Sequence, residues 1–326
     1  YFRSLLAAYQ NQSVPGNTSA NLKTWAQQRS QQTDNAAVLD YWRNALAQSE
    51  PLGNRAAQPG QVVVDQWMLQ PDELLLLQRW CDARRVSITN YLRSLYALAL
   101  QHCHYHDNRV VLIDAMAGRG GALDDAIGCF CQFVPFVQQT GTGVHTFSEL
   151  LQANRLWRKN MGDACYLSML ERRQFLNPNA LEFQFNFRLS SVTDSFEFDG
   201  HSLRTMAMQP DNAGTVKLLV TPQDDRLQVR FSYRENDFAG FDLLKRMQQV
   251  HHQIMAGTET LTLLDWLFAA EKQQQLQQWQ GEPRHQYADE TLLELIARQV
   301  DATPVSGAQF WRQRASMRPA IRWRAG

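Results

Sequence analysis

The chain lacks long hydrophobic runs and any surplus of one charge. In 326 residues no apolar stretch approaches the roughly 20 needed to span a bilayer. Lysine plus arginine, 32, balance aspartate plus glutamate, 32, so no global field favours nucleic acid or an anionic membrane surface. Five cysteines, an odd number in a long chain, argue against a disulfide framework and for a reducing cytoplasm. No basic segment running into an apolar one opens the sequence, so no secretory leader is visible. What is present, 44% hydrophobic and 20% charged residues, describes a globular protein with material for one large or two ordinary domains.

The hydrophobic pattern alternates between the periods of helices and strands. Phe2, Leu5, Leu6 and Tyr9 keep helical spacing, and Val14-Pro15-Gly16 ends that helix. Residues 25–46 read as helical up to Tyr41-Trp42-Arg43-Asn44-Ala45-Leu46, before a linker at Pro51-Leu52-Gly53. Residues 62–69 form a strand. Pro71, with Asp72 and Glu73 in the first turn, opens a helix that buries Leu74, Leu77 and Cys81. Ser87 caps the next helix, whose face is Ile88, Leu92, Leu95, Tyr96 and Ala99. Short strands follow at 110–113 and 133–137, and a helix at 147–160. Leu181, Phe183, Phe185 and Phe187 alternate with Glu182, Gln184, Asn186 and Arg188, as a half-buried strand over 181–187 requires. Residues 216–221 and 227–233 flank Asp224-Asp225 as a hairpin. Helices are predicted at 241–255 and 291–300, and the glutamine-rich stretch 271–286 reads as the approach to a linker. The three apolar strands and the two helices opened by Asp72 and Ser87 should share one layered α/β unit with a mixed sheet.

Three clusters invite chemistry. His251-His252 is followed by Gln253-Ile254-Met255-Ala256-Gly257. Neighbouring helical residues point about 100° apart. His251 therefore falls on the apolar face with Leu244, Met247 and Ile254, and His252 at its border, so a structural helix is expected rather than a catalytic pair. His102-Cys103-His104-Tyr105-His106-Asp107 is dense in metal-type side chains, and its alternative is a polar helix C-terminus. Cys129 and Cys131 share a face if their run is a strand, and are read as core-lining, with reactive or metal-binding thiols as the alternative.

Other segments carry a resemblance. Asp114-Ala115-Met116-Ala117-Gly118-Arg119 is followed at short spacing by Ile127-Gly128-Cys129-Phe130-Cys131-Gln132-Phe133-Val134-Pro135. Tyr233-Arg234-Glu235-Asn236-Asp237-Phe238 comes later. Then follow Leu264-Asp265-Trp266-Leu267 and Thr291-Leu292-Leu293-Glu294, the latter running to Thr303-Pro304. Together with Tyr41-Trp42-Arg43 these resemble the second half of a condensation domain of a nonribosomal peptide synthetase, running into the first residues of an adenylation domain. Gly128 and Phe130 agree with that family's (I/V)GxFVNT motif. Gln132 stands in place of its asparagine, Phe133 in place of its threonine, and Val137 where many members have arginine. Its HQDVPFE motif is not recognisable. Asn160-Met161-Gly162-Asp163-Ala164-Cys165-Tyr166 occupies that place and is closer to a variant of siderophore-type synthetases, as is Phe196-Glu197-Phe198.

The resemblance implies a chloramphenicol-acetyltransferase-like α/β sandwich, of which this is the C-terminal half. It implies residues 1–50 as the tail of the N-terminal subdomain and 51–281 as the C-terminal subdomain. Residues 282–310 would be a linker and the start of an adenylation domain. The final residues, 311–326, hold five arginines and no acid, and read as a frameshifted stretch or a basic tail. The family's HHxxxDG motif, with its general-base histidine, is expected upstream of Tyr1, so no catalytic residue is assigned within the chain. Arg119 is expected to pair with the aspartate of that motif, since a guanidinium stays charged and forms a planar bidentate pair with carboxylate. A solvated loop arginine is the plain alternative. Gly128, Phe130 and Gln132 are expected to line the substrate tunnel, although a glycine and alternating apolar residues also suit any core strand. The implied partners are carrier proteins with 4'-phosphopantetheine arms and the adjacent adenylation domain. No metal, directly bound cofactor, nucleic acid or membrane is expected. A related acyltransferase, a heterocyclisation or epimerisation relative, and a non-catalytic docking domain are the alternatives.

Overall fold

The computed structural model describes residues 23–27, 36–46, 56, 60–104, 109–117, 130–141, 143–161, 180–188, 195–198, 201–204, 215–279 and 291–302. The expected helix at the start of the chain, the segments containing Gly118, Arg119 and Gly128, and the Arg-rich end lie outside them. The chain divides into two units, Tyr1–Trp266 and Leu267–Gly326.

Among the described residues, seven α-helices and eight strands are numbered in chain order. They are α1 (Ala36–Leu46), β1 (Val62–Leu69), α2 (Pro71–Ala83), α3 (Ile88–His104), β2 (Arg109–Ala117), β3 (Cys131–Gln139) and α4 (Phe147–Met161). Then come β4 (Glu182–Phe187), β5 (Ser195–Phe198), β6 (His201–Arg204), β7 (Thr215–Gln223), β8 (Arg226–Arg234) and α5 (Leu243–Met255). The second unit contributes α6 (Ala269–Trp279) and α7 (Leu292–Ala302).

Six strands form one mixed sheet in the order β1-β8-β7-β4-β2-β3. β4 runs parallel to both β2 and β7, and the remaining neighbours are antiparallel. The strands predicted at 110–113, 133–137 and 181–187 thus share a sheet. Period-two alternation decides which side chains meet the helices. Leu112, Phe136, Phe183, Phe185, Leu218, Val220, Val229, Phe231 and Trp67 enter one core with α2, α3, α4 and α5. β5 and β6 make a separate two-stranded sheet.

Helix α3 is the centre of that core. Every residue from Tyr91 to Leu100 is buried, so this helix is surrounded rather than amphipathic. Its N-terminus is capped by Ser87, whose Oγ accepts the Asn90 N–H at 3.1 Å. Glutamates at the third helical position close other N-termini. Glu73 accepts from the Gln70 N–H, Glu149 from Thr146 and Glu294 from Thr291. The glutamine-rich stretch is not linker-like throughout, because Ala269–Trp279 is helical and Glu271 accepts the Phe268 N–H at 2.8 Å. Good helix formers dominate there, and their propensity outweighs the polar composition.

Helix α1 packs at the other margin. Val38, Trp42 and Leu46 form a second cluster with Val134 and Val137 of the edge strand β3 and Met161 of α4. Arg109, at the start of β2, donates to the Ala45 carbonyl.

Candidate functional site

β2 and β3 pair antiparallel from Arg109↔Gln139 to Ala117↔Cys131. The end of β2, which leads into Gly118-Arg119, therefore lies beside the start of β3, which follows Ile127-Gly128-Cys129. Two separate sequence motifs meet at one end of one strand pair. Phe130 is buried and packs edge-on against Trp25, with ring centroids 5.0 Å apart. Gln132 is half-buried opposite Met116. These two expected tunnel residues are brought together at the mouth of the hairpin. Cys131 is not core-lining as expected but exposed, because it is the first residue of an edge strand. Arg119 and Gly128 lie outside the described residues.

Just inside this mouth is a polar cluster that the sequence reading did not single out. Asp114 of β2 is buried, and its Oδ2 accepts from Arg93 Nη1 at 2.7 Å and from Arg158 Nη1 at 2.8 Å. Arg93 Nη2 donates to Asn90 Oδ1 at 2.8 Å, and the guanidinium lies 4.1 Å above the Phe136 ring. Asn154 of α4 donates to Ser94 Oγ and to Gln138 Oε1, both at 2.8 Å. Burial pulls the Arg93 pKa below its ordinary value, while the Asp114 charge holds it up. Signals for this cluster existed. Arg93 interrupts a run of apolar helix residues and Asp114 an apolar strand, and such charges are almost never fully buried unless paired.

The histidine pair separates as the helical geometry requires. His251 is buried, with Nδ1 2.9 Å from Tyr91 Oη and its ring edge-on to Trp67. Desolvation pushes its pKa down to about 4. His252 is exposed, 3.7 Å from the Glu73 carboxylate. His102 stacks on Trp266 with centroids 4.6 Å apart. Among the described residues no three histidines, cysteines or carboxylates stand together as metal ligands, and no helix is long and apolar enough to cross a membrane.

A family model described as "Condensation domain" matches residues 1–276. The chain belongs to the condensation-domain family. Solved relatives show the same fold. One is the first condensation domain of the calcium-dependent antibiotic synthetase in complex with a substrate analogue. It matches with TM-score 0.60 and 17% identity, over 80% of this chain and 60% of that one. The starter condensation domain of rhizomide synthetase, solved with C8-CoA and Leu-SNAC, matches at 0.58 and 21%, over 80% and 62%. The epimerization domain from the third module of tyrocidine synthetase B matches at 0.53 and 17%, over 77% and 62%. This condensation-family chain thus spans about 60% of the length of the first of these domains. No curated protein matches it. The fold is the acyltransferase-like α/β arrangement that the resemblance implied, with a mixed six-stranded sheet and flanking helices.

Proposed function

We propose that this chain is the C-terminal half of a condensation domain that joins a donor acyl or peptidyl thioester to the amine of an acceptor aminoacyl thioester. Each thioester is carried on the 4'-phosphopantetheine arm of a carrier protein. The amine attacks the donor carbonyl, the C–S bond breaks, an amide forms and the donor arm leaves as a thiol. Holding both arms in one tunnel makes the encounter effectively intramolecular. The observation that carries this reading is the family match over residues 1–276, joined to the β2–β3 pairing that sets the two motif ends side by side. That one relative was solved with both C8-CoA and Leu-SNAC supports an acyl donor and an amine acceptor.

In this reading Phe130, Gln132 and Gly128 form tunnel wall, and Arg119 holds the aspartate of the HHxxxDG loop. The chain contains no HHxxxDG sequence, since His251-His252 is followed by Ala256-Gly257, and His251 is spent on the core. The 326 residues alone are therefore inactive. The division into 1–50, 51–281, 282–310 and 311–326 belongs to the same proposal. So do an adjacent adenylation domain, a cytoplasmic setting, and a role in secondary-metabolite or siderophore biosynthesis. The similarity to an epimerization domain supports a second reading, in which the site exchanges an α-proton instead of forming an amide.

The deciding experiment mixes full-length protein with donor- and acceptor-loaded carriers in deuterated buffer. Amide product by mass spectrometry supports condensation, and deuterium at the aminoacyl α-carbon without amide supports epimerisation. Neither product refutes both readings. Arg119→Ala should lower both the melting temperature and the rate, and Arg119→Lys should restore them only in part, because lysine cannot form the planar fork. In the 326-residue chain Arg119→Ala should be nearly silent. A full-length Arg119→Ala protein that melts and reacts like the parent would make Arg119 an ordinary loop residue.

A further inference from the structure

We propose that Arg93, acting through Asp114, is a positioning residue that fixes the register of the β2–β3 hairpin against helices α3 and α4, and so the place from which the Ala117-Gly118-Arg119 segment departs. The consequence for catalysis rests on the condensation reading; the positioning itself does not.

The argument begins with what an apolar interface leaves undetermined. A strand that slides by two residues keeps the same face toward the helices, so the in-out apolar pattern, which excludes a one-residue slip, does not by itself exclude this one. Such a slide moves the strand end by about 7 Å. A buried ion pair does not tolerate it, because each charge is then left without its partner.

Arg93 is placed to act as such a pin. Its side chain is 6% exposed and that of Asp114 5%. One guanidinium contacts both strands of the hairpin, Asp114 of β2 through Nη1 and the Phe136 ring of β3 by stacking. Asp114 is also bound from α4 by Arg158. Farther along the hairpin, Gln138 of β3 accepts from Asn154 of α4 and donates to the Ser94 carbonyl of α3 at 3.3 Å. Polar ties therefore recur along both strands and to both helices, each specific to one register. Arg93 Nε finds no hydrogen-bond partner among the described residues. Asp114 lies three residues before Ala117, so whatever fixes Asp114 fixes the strand end that carries the motif.

The test compares the parent chain with Arg93→Met, Asp114→Leu and the double variant, by thermal melting and by amide hydrogen exchange. Each single variant should melt well below the parent, since it strands a buried charge. The double variant should recover most of the lost melting temperature, because an apolar pair replaces the two buried charges and the Arg158 side chain, 27% exposed, can turn to solvent, yet its β2 and β3 amides should exchange at least tenfold faster while those of α5 remain unchanged. Parent-like exchange in β2 and β3 of the double variant would overturn the proposal. Should that variant fail to fold, Arg93→Lys decides, since an ammonium lacks the planar fork that joins Asp114 to Asn90 and the flat face that stacks on Phe136: faster exchange confined to these strands supports positioning, and parent-like exchange refutes it. In the full-length protein the double variant should condense at least tenfold more slowly with unchanged KM for the acceptor carrier; a parent-like rate overturns the link to catalysis. A full-length parent that forms no amide refutes the condensation reading instead, and the exchange result still decides the positioning.

Discussion

Tyr91 Oη and His251 Nδ1 meet 2.9 Å apart in the interior, where α3 crosses α5. Trp67 and Tyr91 both present their rings edge-on to the imidazole. Tyr91 Oη and His251 Nδ1 are partners to each other inside the core, so neither atom is left available for chemistry at a solvent-facing site.

This pair makes stability depend on pH. The His251 pKa falls from 6.5 to about 4 in the folded chain, chiefly through desolvation and secondarily through His252. Between those values the unfolded chain binds the proton and the folded chain does not, so stability falls as pH drops from about 6.5 towards 4. The loss attributable to this group is about 3 kcal/mol. Urea denaturation at stepped pH values should show it. The double variant Tyr91→Phe with His251→Phe, which removes the titrating group without stranding the phenol, should flatten that part of the profile. An unchanged profile would assign the pH dependence to other groups.

His252 should matter little. It is exposed, and its contact with the Glu73 carboxylate, at 3.7 Å, has both partners solvated. Such pairs contribute about 0–1 kcal/mol. His252→Ala should shift the melting temperature within error and leave any condensation by the full-length protein unchanged. A large loss of rate would show that the His251-His252 sequence is more than a helix.

Most of the architecture was legible because its elements follow simple periods. The Phe183-Phe185-Phe187 alternation, the Asp224-Asp225 turn and the Pro71 and Ser87 helix starts are local signals, and the structure places strands, hairpin and helices there. The separation of His251 from His252 was equally local. The Arg93–Asp114–Arg158 cluster was not legible, because its members are separated by 21 and 44 residues and only the packing of helices α3 and α4 beside strand β2 joins them. Cys131 was misjudged because alternation tells which residues share a face but not that the strand is an edge. The β5–β6 pair was missed, since each strand has only four residues and little room for a period to show.

Gly240 should tolerate no side chain. Its φ is +74°, in the region that favours glycine, and a Cβ there would run into the ring and hydroxyl of Tyr233. The turn that it completes leads from β8 into α5 and takes in Glu235 to Phe238, the latter part of the segment that resembles the family pattern. Gly240→Ala should cost about 2 kcal/mol or more, combining backbone strain with displacement of Tyr233. Chemical denaturation of the variant checks this, and a change below about 0.5 kcal/mol would contradict it.

The last prediction concerns a clasp between three segments distant in sequence. Arg84, at the end of α2, donates Nε to Ser148 Oγ at 2.9 Å and also pairs with Glu259, whose carboxylate accepts from Ser148 as well. The Arg84 guanidinium stacks 3.9 Å over Trp80, which limits its freedom before any bond forms. Backbone pairing reinforces the clasp, since Phe147 N–H donates to the Glu259 carbonyl and Leu261 N–H to that of His145, both at 2.8 Å. The Arg84 and Glu259 side chains are 32% and 19% exposed, so the pair lies between a solvated bridge, near 0–1 kcal/mol, and a buried one. A double-mutant cycle of Arg84→Met and Glu259→Gln should give a coupling energy of about 1–2 kcal/mol. The loss should diminish in high salt far less than that of the exposed Lys245–Asp242 pair, where both side chains are more than half exposed. A coupling near zero would mean that the backbone pairing alone holds residues 259–261 against the start of α4, and that the charged groups merely decorate it.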